Sequence, residues 1–403
     1  MNKTQKDIEQ INKLFSKFNL TVTSYNESTR VNQYRIKFPC DIDINKLFKL
    51  QKNIIAALND DNAIMKQHED EIIIETKGNG KILHMNEVFY KAMYDRTSDF
   101  RLVLGKDIEN TSITTLLPKA PHILVSGCTG SGKTQLLHCF IASLLLGTKP
   151  HHLILIDPKG NEFNVYKDID TVQFIDNVSD GISTLKWLVD EMNIRYEIMA
   201  KEGASDVSKS SLTRIVCIID EFADLIKTDR EIEKYVVLIA QKARACGIHL
   251  IIGTQYPKAE VLTGLIQANI PTRVCLKVNN NIQSRIAIGF SGGEKLLGHG
   301  DMYYLGNGMY SPMRIQAPFI SDEDKERTVQ IATQQLKGLG GNICKTVTVK
   351  EEPQRVSYEH LIHPTPVEEP KNKRVGFFQG LKNIINSPQS TTPSQFITII
   401  SKH

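Results

Sequence analysis

The sequence predicts an α/β protein: a parallel sheet covered by helices on both faces, led by a smaller α+β unit. Two observations carry this reading. From 121 to about 319, short wholly apolar segments alternate with helix-forming stretches, and a glycine-rich loop sits between one such strand and a helix. A strand buried on both faces has no polar side to show, so it reads as an unbroken apolar run. The runs at 122–125, 153–156, 216–219, 249–252 and 273–278 are of this kind. Residues 1–105 read differently, with alternating strand patterns at 20–25 and 32–37, a helix near 44–58 and a strand at 71–76. After a helix-like stretch at 322–336, the remainder turns rich in Pro, Ser, Thr and charge and holds too little apolar surface for a core. The expected domains are therefore 1–105, a small α+β subdomain; 106–338, the parallel-sheet core; and 339–403, a tail. Within the tail, the basic stretch at 371–387 reads either as a solvated segment or as a short amphipathic helix able to meet a protein partner.

Composition bounds the function. With 41% hydrophobic and 23% charged residues, the 403-residue chain is neither disordered nor fibrous. A net charge of +4 decides nothing about nucleic acid, because a threading pore needs only a local positive lining. Seven cysteines, an odd number with no CxxC pair, indicate neither a disulfide framework nor a zinc site, and a reducing cytoplasm fits them best. The longest apolar runs, 140–146 and 215–219, fall far short of the roughly 20 residues that cross a bilayer, so no transmembrane segment is expected. The polar start MNKTQKDIEQ is no signal peptide.

The chemistry begins at Gly127, Cys128, Thr129, Gly130, Ser131, Gly132, Lys133 and Thr134, which match GxxxxGK[ST] directly after an apolar strand and before the helix-forming QLLHCFIASLLL. Glycines in such a loop let backbone N–H groups wrap phosphates, and the helix that follows points its positive end at them. Lys133 then reaches the β and γ oxygens of ATP, and Thr134 ligates Mg²⁺. A second strand, IVCII at 215–219, ends in Asp220 and Glu221. A carboxylate there can hold the Mg²⁺ water shell, the part given to Asp220, and its neighbour Glu221 can polarise an attacking water. The next strand ends in Thr254 and Gln255, and Gln255 is either a γ-phosphate sensor or a simple turn residue.

With these elements placed, the surrounding sequence resembles the FtsK/SpoIIIE family of hexameric double-stranded DNA translocases. The resemblance rests on LGKDI at 104–108, PHILVSGCTGSGKT at 121–134, LIDPKGNEFNVY at 155–166 and LKWLVDEMNIRYEIM at 185–199. It continues in IIDEFADLI at 218–226, IAQKARACGIHLIIGTQYP at 239–257, VLTGLIQANIPTRV at 261–274 and SRIAIGFSGGEKLLGHGDMYYL at 284–305. It implies a RecA-like P-loop ATPase core, an α subdomain in front of it, and a homo-oligomeric ring in which ATP lies between neighbours. It also implies an arginine that crosses to the γ-phosphate. By motif position this is Arg244, which the local pattern alone explains equally as a cation at a helix C-terminus.

The resemblance places DNA contacts on pore loops, and here the chain departs from the pattern. Tyr256 stands where the family's TQRP motif has arginine, and Asn281 replaces a lysine four residues before the retained Arg285. Lys258 and Lys277 are nearby cations that either compensate or are simply solvated. Neither an N-terminal membrane anchor nor a C-terminal winged helix is evident. The function implied is ATP-driven translocation of double-stranded DNA. The alternatives are a coupling ATPase that delivers substrate to a conjugation or secretion channel, or a nucleotide-gated part of a mobile-element or defence assembly.

Overall fold

A computed structural model describes residues 3–338 except 28–30, 62, 79, 94–99, 148 and 150, without the side chains of 90–93 and 336–338. The expected tail, 339–403, and its basic stretch 371–387 lie outside the described residues.

The chain opens with α1 (Lys3–Phe15), which buries Asp7, Ile11 and Phe15, one residue per turn. Then come β1 (Ser24–Glu27), β2 (Val31–Lys37), α2 (Ile44–Phe48), α3 (Gln51–Leu58), β3 (Ile64–His68) and β4 (Glu71–Lys77). The four strands form an antiparallel sheet in the order β1-β2-β4-β3. Period-two alternation sends Tyr34, Ile36, Ile72 and Ile74 to the helix side, where they pack with Ile11, Phe15, Leu47 and Ile54. The alternate residues Gln33 and Glu75 point the other way and are also buried. The helix expected over 44–58 is two helices, because a tight turn closed by Leu50 N–H on Leu47 O interrupts it. The strand expected at 20–25 begins only at Ser24, since Leu20 is drawn into the core and Val22 N–H donates to the Asn12 side chain.

After α4 (Met85–Met93), the chain builds one ten-stranded sheet. Its elements are β5 (Arg101–Asp107), β6 (Ser112–Leu116), β7 (His122–Ser126), α5 (Lys133–Leu145), β8 (His151–Ile156), β9 (Val172–Ile175) and α6 (Val178–Glu202). Next come β10 (Arg214–Ile219), α7 (Phe222–Thr228), α8 (Ile232–Lys242), β11 (Ile248–Thr254), α9 (Gly264–Asn269) and β12 (Thr272–Leu276). The last are α10 (Asn281–Ile288), β13 (Asp301–Leu305), β14 (Met313–Gln316) and α11 (Asp322–Gly338). The strand order is β6-β5-β14-β13-β12-β7-β11-β10-β8-β9, parallel from β12 to β9 and antiparallel from β12 back to β6. The parallel half is the one read from the apolar runs. Ile123 and Val125 of β7 pack with Leu137, Phe140 and Ile141 of α5, while the alternate Leu124, equally buried, faces the opposite side. No described helix is long and apolar enough to cross a membrane.

This order has one consequence for chemistry. β11 is inserted between β7 and β10, so the carboxyl ends of β7, β11 and β10 lie side by side. In an open α/β sheet that edge is where ligands bind.

Candidate nucleotide site

The glycine-rich loop leaves the tip of β7 tied to both neighbouring strands. Gly127 N–H donates to Thr254 O at the end of β11, and Cys128 N–H donates to Lys277 O just beyond β12, at 3.2 and 2.8 Å. Gly130 and Gly132 hold φ of +75° and +100°, where a Cβ is disfavoured. At Gly132 a Cβ would also lie 2.5 Å from the Gly300 nitrogen. Lys133 and Thr134 open α5, whose first-turn N–H groups have no partner within the helix.

The loop borders a cavity of about 490 Å³, which suits a nucleotide in size. Cys128, Thr129, Gly130, Gly132, Lys133 and Thr134 of the loop line it, together with the apolar Ile82, Leu83, Pro318 and Phe319. Ile82 and Phe319 are nearly half exposed there, so the mouth offers apolar walls to a planar ring. The Ser131 hydroxyl is buried without a protein partner. The N–H-lined loop, the lysine and this unpaired hydroxyl together fit a polyphosphate.

The acidic residues sit where the sequence placed them, but they are already engaged. Lys133 Nζ donates to the Asp220 carboxylate at 2.7 Å and to the Asp220 carbonyl at 2.6 Å, both groups being buried. Each charge neutralises the other, which makes their burial tolerable. Glu221 is almost wholly buried. Its Oε1 accepts from Ala223 N–H at 3.1 Å, capping α7, and from the Thr254 hydroxyl at 2.7 Å. Its Oε2 accepts from Gln255 N–H at 2.8 Å. Three donors thus fix the carboxylate, leaving one lone-pair direction on Oε2 for a water. The Gln255 side chain accepts from the Thr129 hydroxyl at 2.7 Å, bridging the tip of β11 to the loop.

Not every expected residue joins this cluster. Arg244 is exposed just beyond α8 and before β11 begins, at the opposite edge of the sheet. The seven residues of β11, at roughly 3.3 Å each, put on the order of 20 Å between Arg244 and the Glu221–Gln255 tip. Its guanidinium therefore cannot serve the cleft of its own chain. Tyr256 and Lys258 follow the tip of β11; Tyr256 is exposed, and the Lys258 ammonium lies 3.8 Å from Glu260. Asn281 opens α10, and its side-chain oxygen accepts from Arg285 Nε at 3.0 Å.

Two residues escaped the sequence reading. Glu162 lines the cavity, and its carboxyl is raised above the ordinary glutamate value by burial, by Asp220 and by Asp157. Its place depends on the buried Asp157, which accepts from Glu162 and Phe163 N–H and folds this loop back over the tip of β8. Lys227, in the last turn of α7, holds its ammonium 4.8 Å from the centre of the Tyr256 ring, a cation–π contact. A positive charge thus stands beside the position where the sequence lacks arginine.

Comparisons with known proteins agree with this geometry. The model of the FtsK/SpoIIIE family matches residues 86–214 and 208–259. The DNA translocase FtsK of Pseudomonas syringae pv. syringae (strain B728a) is 34% identical over 357 residues, covering 77% of this chain and 44% of the relative. The DNA translocase SftA of Bacillus subtilis (strain 168) is 34% identical over 337 residues, covering 78% of this chain and 35% of the relative. The chain thus spans less than half the length of these curated relatives. Among solved structures, the pCW3 conjugation coupling protein TcpA, monomer form with ATPγS, shares the fold with a TM-score of 0.58 at 24% identity, over 81% of this chain and 99% of that one. The cytoplasmic domain of the Thermomonospora curvata type VII secretion ATPase EccC shares it with a TM-score of 0.53 at 20% identity, over 58% of this chain and 31% of that one. A glycine loop braced by both neighbouring strand tips, an acidic pair at the next tip but one, and matches of this extent make the chain a member of the FtsK/SpoIIIE family.

Proposed function

We propose that this chain is the motor of an ATP-driven DNA translocase that works as a ring of identical copies, a hexamer, with hydrolysis at each joint between copies. The observation that carries this reading is the split of the catalytic set. Loop, lysine and carboxylates gather at one edge of the sheet, and the exposed Arg244 stands at the other. One copy then offers the cleft, and its neighbour offers the guanidinium.

In this reading the loop N–H groups and α5 receive the phosphates, and the apolar mouth at Ile82, Leu83 and Phe319 receives the base. Lys133 is the group that would reach the β and γ oxygens, and the Asp220 carboxylate and the Thr134 hydroxyl would hold Mg²⁺. Bound Mg²⁺ supplies neutralisation of charge on the transferred phosphoryl group. Glu221 orients the attacking water through its open lone pair, and Gln255 senses the γ-phosphate while parting from Thr129. The loop beyond β11, with Tyr256 and Lys258, and the start of α10 beyond β12, with Asn281 and Arg285, face the DNA and touch its phosphates without reading sequence. Lys227 supplies the cation that position 256 lacks. The relatives named as DNA translocases support this reading.

The test is ATP turnover with and without duplex DNA, together with displacement of a triplex strand. Stimulation by duplex and strand displacement are expected; stimulation by neither duplex nor single strand rejects the motor. The neutral Tyr256 and Asn281 favour a second reading, a coupling ATPase that hands a strand to a secretion or conjugation channel. Stimulation by single-stranded DNA without triplex displacement selects that reading.

A further inference from the structure

The small subdomain and the nucleotide loop are joined through a buried ionic relay. Arg314 of β14 donates from Nε and Nη2 to both oxygens of Asp301 at 2.9 and 2.7 Å, and from Nη1 to Glu75 of β4. Glu75 also takes the Lys66 ammonium at 2.8 Å and the Gln33 amide at 3.0 Å. Burial by itself would raise the Glu75 carboxyl, but Arg314 and Lys66 outweigh it and hold the carboxyl below the usual glutamate value. Two negative and two positive groups balance, so removing one leaves an uncompensated buried charge.

The relay ends on the nucleotide loop. Asp301 directly follows Gly298–Gly300 in sequence, where Gly300 N–H donates to Ser131 O at 2.7 Å and His299 N–H to Gly130 O at 3.4 Å. The end of β14 and the residue after it hold the same turn, through Gln316 Nε2 on His299 O and Ala317 N–H on Gly300 O. The segment that follows β4 contributes Ile82 and Leu83 to the cavity mouth, where Phe319 N–H donates to Leu83 O at 2.7 Å. The subdomain is therefore fastened to both ends of the site.

We propose that Arg314 is a positioning residue for the nucleotide loop, clamping β4 of the small subdomain to the turn that braces Gly130 and Ser131. Nucleotide affinity and subdomain docking are then coupled, and the coupling acts in both directions. This rests on the nucleotide-site reading above. The geometry assigns the signal to the Glu75 face of the sheet, not to its helix face, where Tyr34 donates to Asp7 at 2.9 Å.

The experiment uses the full chain and a fluorescent ATP analogue titrated onto wild type, Glu75→Gln and Tyr34→Phe, with hydrogen exchange of β4 amides in each. Glu75→Gln is expected to weaken affinity about fivefold or more. It should also abolish the slowing of β4 exchange that nucleotide causes in wild type, while Tyr34→Phe keeps wild-type affinity. If circular dichroism shows Glu75→Gln misfolded, Lys66→Gln carries the same test, its side chain being about a third exposed. Affinity within twofold of wild type in a folded relay variant, or equal loss in Tyr34→Phe, overturns the proposal. Wild type that binds no nucleotide overturns the site reading beneath it.

Discussion

Thr254→Val isolates the part of the site that the structure defines most sharply. The Thr254 hydroxyl is fully buried, donates to Glu221 Oε1 at 2.7 Å and accepts from Tyr256 N–H at 3.1 Å. Valine keeps the shape and removes only the hydroxyl. A hydrogen bond to a charged group contributes about 1.5–3 kcal/mol. If all of that serves to hold Glu221 against the attacking water in the transition state, turnover falls about 10- to 150-fold. Thr254 is not among the residues lining the nucleotide cavity, so KM for ATP should stay within twofold. The assay is duplex-stimulated ATP hydrolysis at saturating nucleotide, with Thr254→Ser alongside as the variant that keeps the donor. Serine near wild type and valine slow is the expected pattern. Unchanged turnover in valine, or serine as slow as valine, refutes the claim that this bond positions the carboxylate.

Other consequences are open to measurement. Glu221→Gln removes the charge and, with its oxygen kept toward Ala223 and Thr254, sets an amide NH₂ against Gln255 N–H; it should bind ATP, hydrolyse it at least a hundredfold more slowly and remain as an ATP-loaded oligomer by size exclusion. Lys227→Ala should weaken duplex binding and lower the slope of log affinity against log salt by about one, the loss of a single phosphate contact; an unchanged slope removes Lys227 from the DNA path. Burial holds His122, His138 and His249 down at about 3, against an ordinary 6.5. As pH falls below 6.5 the unfolded chain takes up protons that the folded chain refuses until about pH 3, so stability drops across that window. For three such histidines the slope approaches about 4 kcal/mol per pH unit. Chemical denaturation at pH 6.5, 6 and 5 checks this, and His138→Phe should flatten the slope by about a third.

What could be read from the sequence was local. The loop at 127–134 announces itself because only glycine tolerates the backbone of Gly130 and Gly132, and the strand ending in Asp220 and Glu221 is bracketed by an unbroken apolar run. The strands β5, β6, β13 and β14 are not legible in this way, because antiparallel strands that mix polar with apolar residues show no unbroken apolar run. Contacts across the fold were invisible for a different reason. Glu75 and Arg314 lie 239 positions apart, and nothing in either neighbourhood marks a buried charge. Lys227 reaches Tyr256 only because α7 and β11 are packed together, and Glu162 reaches the cavity only because Asp157 folds its loop. The ion pair of Lys133 with Asp220 is of the same kind: the two lie 87 positions apart, and neither motif by itself says that one holds the other.

The central claim is that each hydrolytic site is shared by two copies, and complementation tests it most directly. Arg244→Ala and Glu221→Gln chains, each inactive alone, are mixed under conditions that let rings exchange subunits, and DNA-stimulated ATP hydrolysis is followed. Joints in which the Arg244→Ala copy offers an intact cleft and the Glu221→Gln copy offers an intact guanidinium should restore turnover. A mixture as inactive as its components, with mixed rings verified by mass, contradicts the shared site.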